Sequence, residues 1–369
     1  MSQGPSDETD PDDAGSGPVE PTVVEQRLMR GVEHVAGVSD HLVHHPAPNS
    51  ARAFVNAFFG DRLDLSGSPL AHTMGVRRRG RSVPLTAEGF AAAFPGATGA
   101  VVVLVHGLVV HETAWQRGRF GHRLEEDLGF TSVAVRYNTG LRISTNGHEL
   151  DRVLTALVAH WPVPVTRLVL LGHSMGGLVI HSALAQADVE ADWIPLVSDT
   201  VTLGSPHLGA PLERFANGSA RVAGRLRHSR PLATLLRARS VGIQDLRHGN
   251  ILDEEWDGLA LDDRTGRRLD VPLHPGVRHL AIVGLLGRRI DGPVAQLLGD
   301  GMVPASSARG SGRRAPGSRR FAEEDVVVLP GVGHLALVHE PIVYDAIRDR
   351  LSRDPGDVEA GQEGPGRSG

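Results

Sequence analysis

Ser174 stands at the centre of Gly172-His173-Ser174-Met175-Gly176, the part of the chain whose residue types and spacing most clearly suit chemistry. A serine hydroxyl is a weak nucleophile unless a base takes its proton and donors meet the negative oxygen that forms on the substrate. The setting supplies the first requirement of such a site, exposure of the hydroxyl at a sharp turn. Leu168 to Leu171 is a short apolar run that predicts a buried strand, and Gly177-Leu178-Val179-Ile180 opens a helix. Strand, tight turn and helix with a serine at the apex put the side chain at the carboxyl edge of a sheet, beside helix N–H groups. Gly172 and Gly176 let strand and helix approach, and His173 flanks the nucleophile.

The base and its orienting acid must come from later in the chain if the order is nucleophile, acid, histidine. Gly331-Val332-Gly333-His334-Leu335 places His334 on a glycine loop after the last apolar strand. His339 is the other histidine of the final quarter and sits where a helix should begin. Between serine and histidine lies Leu298-Gly299-Asp300-Gly301-Met302-Val303-Pro304, from which Asp300 is the expected acid, with Asp291 as rival. The acid would hold the imidazole in one tautomer and stabilise its charged form. His106-Gly107-Leu108 follows the first core strand. The N–H groups of Leu108 and Met175 are the expected donors to an oxyanion, and His106 and Gly107 would shape the loop.

Elements that could position these residues alternate along the chain. Strands are expected at Val101–Val105, Ser132–Val135, Leu168–Leu171, Thr200–Leu203, His279–Val283 and Val326–Leu329. Helices are expected at Glu112–Leu128 and Glu149–His160. Alternation of this kind implies a mostly parallel sheet with helices on both faces and a site at the carboxyl ends of the strands. The expected organisation is an acidic, disordered tail over 1–21, a helical extension over 22–95, a catalytic domain over 96–352 and a disordered tail over 353–369. Within the extension, Val23–Val43 and Ala51–Phe59 carry helical spacing. Residues 206–276 break the alternation. With Leu232, Leu235 and Leu236 on a helical stretch, they are expected to form a lid or cap insertion. Arg309–Arg320 is expected to be a mobile basic loop.

Composition narrows the chemistry. The chain has 369 residues and no cysteine, which removes disulfides, thiolate metal sites and a cysteine nucleophile. A net charge of -5 gives no overall basic character for nucleic-acid binding. All the basic residues that Lys and Arg could share are arginine. The N-terminus lacks the basic start and apolar core of a signal peptide, and the apolar run near Ala100 to Val110 is too short to span a bilayer. The expected location is cytoplasmic, with peripheral membrane contact as an option for the N-terminal helices.

Taken together, His106-Gly107-Leu108, the Gly172–Gly176 turn, Thr202-Leu203-Gly204-Ser205-Pro206-His207-Leu208-Gly209, Gly299-Asp300-Gly301 and Gly333-His334 resemble the lipases and esterases of the α/β-hydrolase fold. The nearest resemblance is to bacterial triacylglycerol lipases and the GPI-inositol-deacylase-like hydrolases, over roughly Ala100 to Arg350. The resemblance implies a Ser174-Asp300-His334 triad, an oxyanion hole at Leu108 and Met175, an ester or lipid substrate, and no metal or organic cofactor. Acyl transfer to an alcohol would use the same residues. A catalytically silent binding protein of the same fold is the reading from a different class, and labelling of Ser174 by a fluorophosphonate would separate it from an enzyme.

Overall fold

The computed structural model describes residues 46–211, 240–256, 258, 269–287, 298–311 and 321–353. The chain divides into two compact units, Met1–Pro48 and Asn49–Gly369, and the sheet and candidate site belong to the second. In chain order the described elements are α1 (Pro46–Leu65), β1 (Gly75–Arg78), β2 (Arg81–Ser82), α2 (Ala87–Ala93), β3 (Ala100–Val105) and α3 (Phe120–Leu128). They continue with β4 (Thr131–Arg136), α4 (Ile143–His160), β5 (Arg167–His173), α5 (Met175–Gln186), β6 (Val197–Leu203) and α6 (Val241–His248). The last are β7 (Arg278–Leu285), α7 (Ala305–Ala308), β8 (Val326–Pro330) and α8 (Pro341–Leu351).

The strands form one sheet in the order β2-β1-β4-β3-β5-β6-β7-β8. Strands β4, β3, β5, β6, β7 and β8 run parallel, and β1 and β2 add antiparallel at one edge. A parallel sheet must be covered on both faces, and β3 shows how the sequence arranges this. Val101, Val103 and Val105 pack on the α4–α5 side with Leu150, Leu154 and Leu178. The alternate residues Val102 and Leu104 pack on the α3–α8 side with Phe120, Leu124, Tyr344 and Ile347. The continuous apolar run is thus two period-2 faces superposed. Pairing of Val105 with Gly172, and of His173 with Leu203, levels the carboxyl ends of the three central strands. At the opposite end, buried Asp199 accepts from Arg167 at 3.1 Å and from Arg278 at 2.9 Å, tying β5, β6 and β7 together.

The expected α/β-hydrolase architecture, a mostly parallel sheet with helices on both faces, is the one observed, and each expected core strand is present. Two expectations are corrected. Glu112–Leu128 is not one helix: a 3-10 turn over Glu112–Gln116 is separated from α3 by Arg119 with φ 53°. The break lets both Trp115 and Phe120 bury, with Gly118 pressed against the backbone of Val338 and His339. The region 22–95 is not helical throughout. Ala51–Phe59 lies in α1, but Gly75–Ser82 forms β1 and β2. Only Val76 of these strands is fully buried, and arginines occupy most other positions, so no apolar alternation marks them. Val23–Val43, most of the Arg309–Arg320 segment, the helical stretch holding Leu232, Leu235 and Leu236, and residues 1–21 and 354–369 of the tails lie outside the described residues.

The described part of the 206–276 insertion is docked firmly. Asp245 of α6 accepts from the Ile143 N–H at 2.9 Å and from Arg142 at 2.7 Å, capping α4 from outside its own chain segment. Ser240 donates to the Ala57 carbonyl at 2.6 Å, joining the insertion to α1.

Candidate functional site

Ser174 sits between β5 and α5 with φ 55° and ψ -121°, a conformation that a side-chain-bearing residue rarely adopts. The neighbouring packing enforces it. The Ser174 N–H donates to the Leu203 carbonyl of β6 at 2.8 Å, and its own carbonyl accepts from Gly177 at 3.1 Å. A Cβ at Gly176 would lie 2.3 Å from the Val105 carbonyl and 2.6 Å from that of His106, so only glycine lets α5 start this close to β3.

His334 and Asp300 meet although 34 residues separate them: Nδ1 lies 2.7 Å from Oδ2, with both side chains almost fully buried. The imidazole Nδ1–H donates and the carboxylate accepts, which leaves the lone pair on Nε2, the arrangement a general base needs. Asp300 is itself fixed. Its Oδ1 accepts from the N–H groups of Met302 at 3.0 Å and Val303 at 2.9 Å, and its carbonyl accepts from the His334 N–H at 3.0 Å. The rival histidine is elsewhere engaged, His339 lying 3.9 Å from Glu340. Asp291 falls outside the described residues.

Two contacts bring this pair to the serine turn. His173, the residue before Ser174, donates from Nε2 to the His334 carbonyl at 3.1 Å, with the two rings 4.8 Å apart. Burial first, and then proximity to His334, push the His173 imidazole down to about 3, so it stays neutral beside His334. The second contact is Gly204, which follows Leu203 with φ 59°. A Cβ there would come 2.8 Å from Asp300 Oδ2 and 3.2 Å from His334 Nδ1.

The His106-Gly107-Leu108 loop lies on the other side of the serine. A Cβ on Gly107 would be 3.0 Å from the Ser174 Cβ, which places the loop directly against the turn. His106 acts as a strut. Its Nδ1–H donates to the Gly107 carbonyl at 2.9 Å, its ring stacks on Tyr137 at 4.5 Å, and its carbonyl accepts from the Tyr137 hydroxyl at 2.7 Å. Burial pushes its imidazole down to about 4. Leu108 follows in this loop, next to Val109 at φ 67°, an unusual conformation for a β-branched residue. Met175 is the first residue of α5, where N–H groups lack intrahelical partners. The loop and the helix start therefore both adjoin the serine turn.

Four supporting residues were not singled out from sequence. Gly204 is part of the Leu203–Gly209 stretch, so a signal existed for it. Tyr137 and the Glu112–Arg136 pair carried none, because isolated residues at a strand end reveal no partner. Arg136 grips Glu112 through two bonds of 2.6 Å. Burial alone would raise the Glu112 pKa, but bonds to His111 and Arg136 reverse this and hold it below the ordinary carboxylate range. Among the described residues, no group of three or more His, Asp or Glu side chains is arranged to hold a metal ion. No described helix is long and apolar enough to cross a membrane.

This sheet order and turn geometry define an α/β-hydrolase fold. Residues 119–263 match the family model described as a PGAP1-like alpha/beta domain, a span that includes Ser174 and stops before Asp300. Among solved structures, a Bacillus licheniformis lipase in mature form is 17% identical over 76% of this chain and 97% of its own, with a TM-score of 0.43. A Pyrococcus furiosus esterase is 15% identical over 73% of this chain and 84% of its own, at a TM-score of 0.40. A Thermogutta terrifontis esterase with malate bound is 19% identical over 69% and 90%, at 0.36. None of the curated proteins matches the chain.

Proposed function

We propose that the protein is a serine carboxylic-ester hydrolase working through an acyl-enzyme. The observation that carries this reading is the bonded His334–Asp300 pair packed against the strained turn that bears Ser174. In the proposed cycle His334 Nε2 takes the proton from Ser174 Oγ as the oxygen attacks the ester carbonyl. The carbonyl electrons move onto oxygen, which the N–H groups of Leu108 and Met175 receive. The intermediate collapses, the alkoxide leaves with the proton from His334, and Ser174 holds the acyl group. Water, deprotonated by His334, then releases the acid and restores the serine. Asp300 stays ionised throughout and stabilises the imidazolium.

No cofactor takes part in this scheme. The proposed substrates are esters with hydrophobic acyl groups, as the resemblance to lipases and esterases implies, and peripheral contact with a membrane would be one way to reach them. Hydrolysis of p-nitrophenyl esters across a chain-length series tests the reading. Turnover that vanishes in Ser174→Ala while the far-UV circular dichroism is unchanged is the expected result. Wild-type turnover in that variant would refute the nucleophile assignment.

A further inference from the structure

A polar cavity of about 530 Å³ has Arg52, Asp64, His72, Thr73, Arg77 and Arg136 in its wall. Its volume falls within the roughly 300–1,000 Å³ typical of small-molecule sites. Three separate elements aim arginine at it: Arg52 from α1, Arg77 from β1 and Arg136 from β4. Carboxylates do not balance them. Glu112 is spent on the fork with Arg136 and reaches Arg77 Nε only at 3.8 Å. Asp64 is exposed at the rim. Arg52 meets carbonyls alone, those of Leu70 at 3.0 Å, Pro69 at 2.6 Å and Ala71 at 3.2 Å.

Unused donors remain. Among the described residues no hydrogen bond engages Nη1 of Arg52 or of Arg136. His72 is 6% exposed, and its Nε2 is buried without a hydrogen-bond partner. The crowding of positive charge also shows in proton affinities. Burial, and then Arg136, hold the Arg52 guanidinium below its ordinary range, and the same two causes act first on Arg77. His72 is pushed down to about 3 by burial, then by Arg52 and Arg136.

We propose that this cavity binds a phosphate group carried on a polar body. Guanidinium groups from three directions suit an anion with three terminal oxygens, each able to accept a charge-assisted bond. The one planar carboxylate that the cluster favours is already present as Glu112. The cavity is larger than a bare phosphate ion requires, and its polar wall suits a hydroxylated carrier rather than an acyl chain. Because the claim concerns binding, it stands apart from whether Ser174 hydrolyses esters.

The test is calorimetry on the full chain with inorganic phosphate and glycerol 3-phosphate, alongside flotation with phosphatidylcholine vesicles with and without phosphatidic acid. Arg77→Gln and Thr73→Glu are the test variants, and Arg152→Gln on the exposed face of α4 is the control. Thr73 is exposed in the wall, so Thr73→Glu adds a negative charge without removing a packed group. Saturable binding that weakens at least about tenfold in both test variants, and not in the control, is expected. Binding of the soluble ligands would assign a soluble phosphate ester, whereas binding confined to phosphatidic acid vesicles would assign a lipid headgroup. Absence of saturable binding from both sources, or equal binding by wild type and Thr73→Glu, would overturn the proposal.

Discussion

Two groups of buried histidines lie along the carboxyl-terminal half of the sheet, and they differ in a single respect that matters. In one, His173 and His334 stand together with Asp300, whose carboxylate takes the His334 Nδ1–H at 2.7 Å. In the other, His181 of α5, His207 after β6 and His279 of β7 gather around Phe321, with ring centroids 5.0 to 6.4 Å apart. Among the described residues, His207 and His279 hydrogen-bond to neutral groups: Thr202 Oγ1 at 3.3 Å from His207 Nε2, Thr200 Oγ1 at 2.7 Å from His279 Nδ1, and the His274 carbonyl at 3.0 Å from His279 Nε2. Since a carbonyl only accepts, His279 carries its proton on Nε2 and accepts the Thr200 hydroxyl on Nδ1. Burial, the largest cause, lowers its proton affinity. A buried imidazole among hydroxyls fills space as a neutral polar ring. One with a buried carboxylate on Nδ1 and a strained serine turn nearby is equipped to accept and return a proton.

The comparison is broken most severely at the serine. Ser174→Ala should lower kcat for aryl esters by at least about a thousandfold with the melting temperature nearly unchanged, because it removes the proposed attacking atom. Asp300→Asn should cost about 10³–10⁴ in kcat, since the amide no longer selects the Nδ1–H tautomer. Steady-state kinetics of the two variants side by side would check the ranking. Gly204→Ala is a sharper probe, because the added methyl would stand 2.8 Å from Asp300 Oδ2 and 3.2 Å from His334 Nδ1. It should reduce kcat by about 10–100-fold through displacement of that pair. The positive φ adds strain, so a lower melting temperature is expected as well.

In the second histidine group, Thr200→Val should leave kcat within about twofold and cost about 1–2 kcal/mol of stability, because the buried His279 loses its donor. A kcat loss as large as that of Gly204→Ala would erase the distinction drawn between the two groups.

A smaller effect, reaching beyond the two groups, concerns acid. His72, His106 and His173 have imidazoles pushed down to about 3, about 4 and about 3, chiefly by burial. Below about pH 6.5 the unfolded chain binds protons that the folded chain refuses, so stability is complete above that pH and declines as pH falls. Asp245 acts in the opposite sense. Burial raises its carboxyl to about 6 against the pull of Arg142, so acidification from about 6 favours the folded form by one proton. Three histidines outweigh it, and thermal melts should show a lower melting temperature at about pH 5 than at about pH 7.

Much of this organisation was legible in the sequence, and the reasons are local. Core strands such as β3 and β5 announce themselves because both faces are buried and their central positions are all apolar. The serine turn is legible because its glycines are required by backbone approach within a few residues. His334 and Asp300 were expected as partners from chain order and glycine settings, but their bond depends on folding 34 residues into register. Strands β1 and β2 were missed because an arginine-rich edge hairpin with one buried valine lacks a pattern of its own and borrows its conformation from β4. The break between Gln116 and Phe120 was hidden because Trp115 and Phe120 read as one amphipathic helix until Val338 and His339 are placed against Gly118.

The most direct test of the central claim is labelling of the full chain with a fluorophosphonate, followed by peptide mass mapping. The account predicts a single stoichiometric adduct on Ser174, absent in Ser174→Ala and formed far more slowly in Asp300→Asn. A folded protein that hydrolyses esters yet carries no adduct on Ser174, or carries it on another serine, would contradict the account.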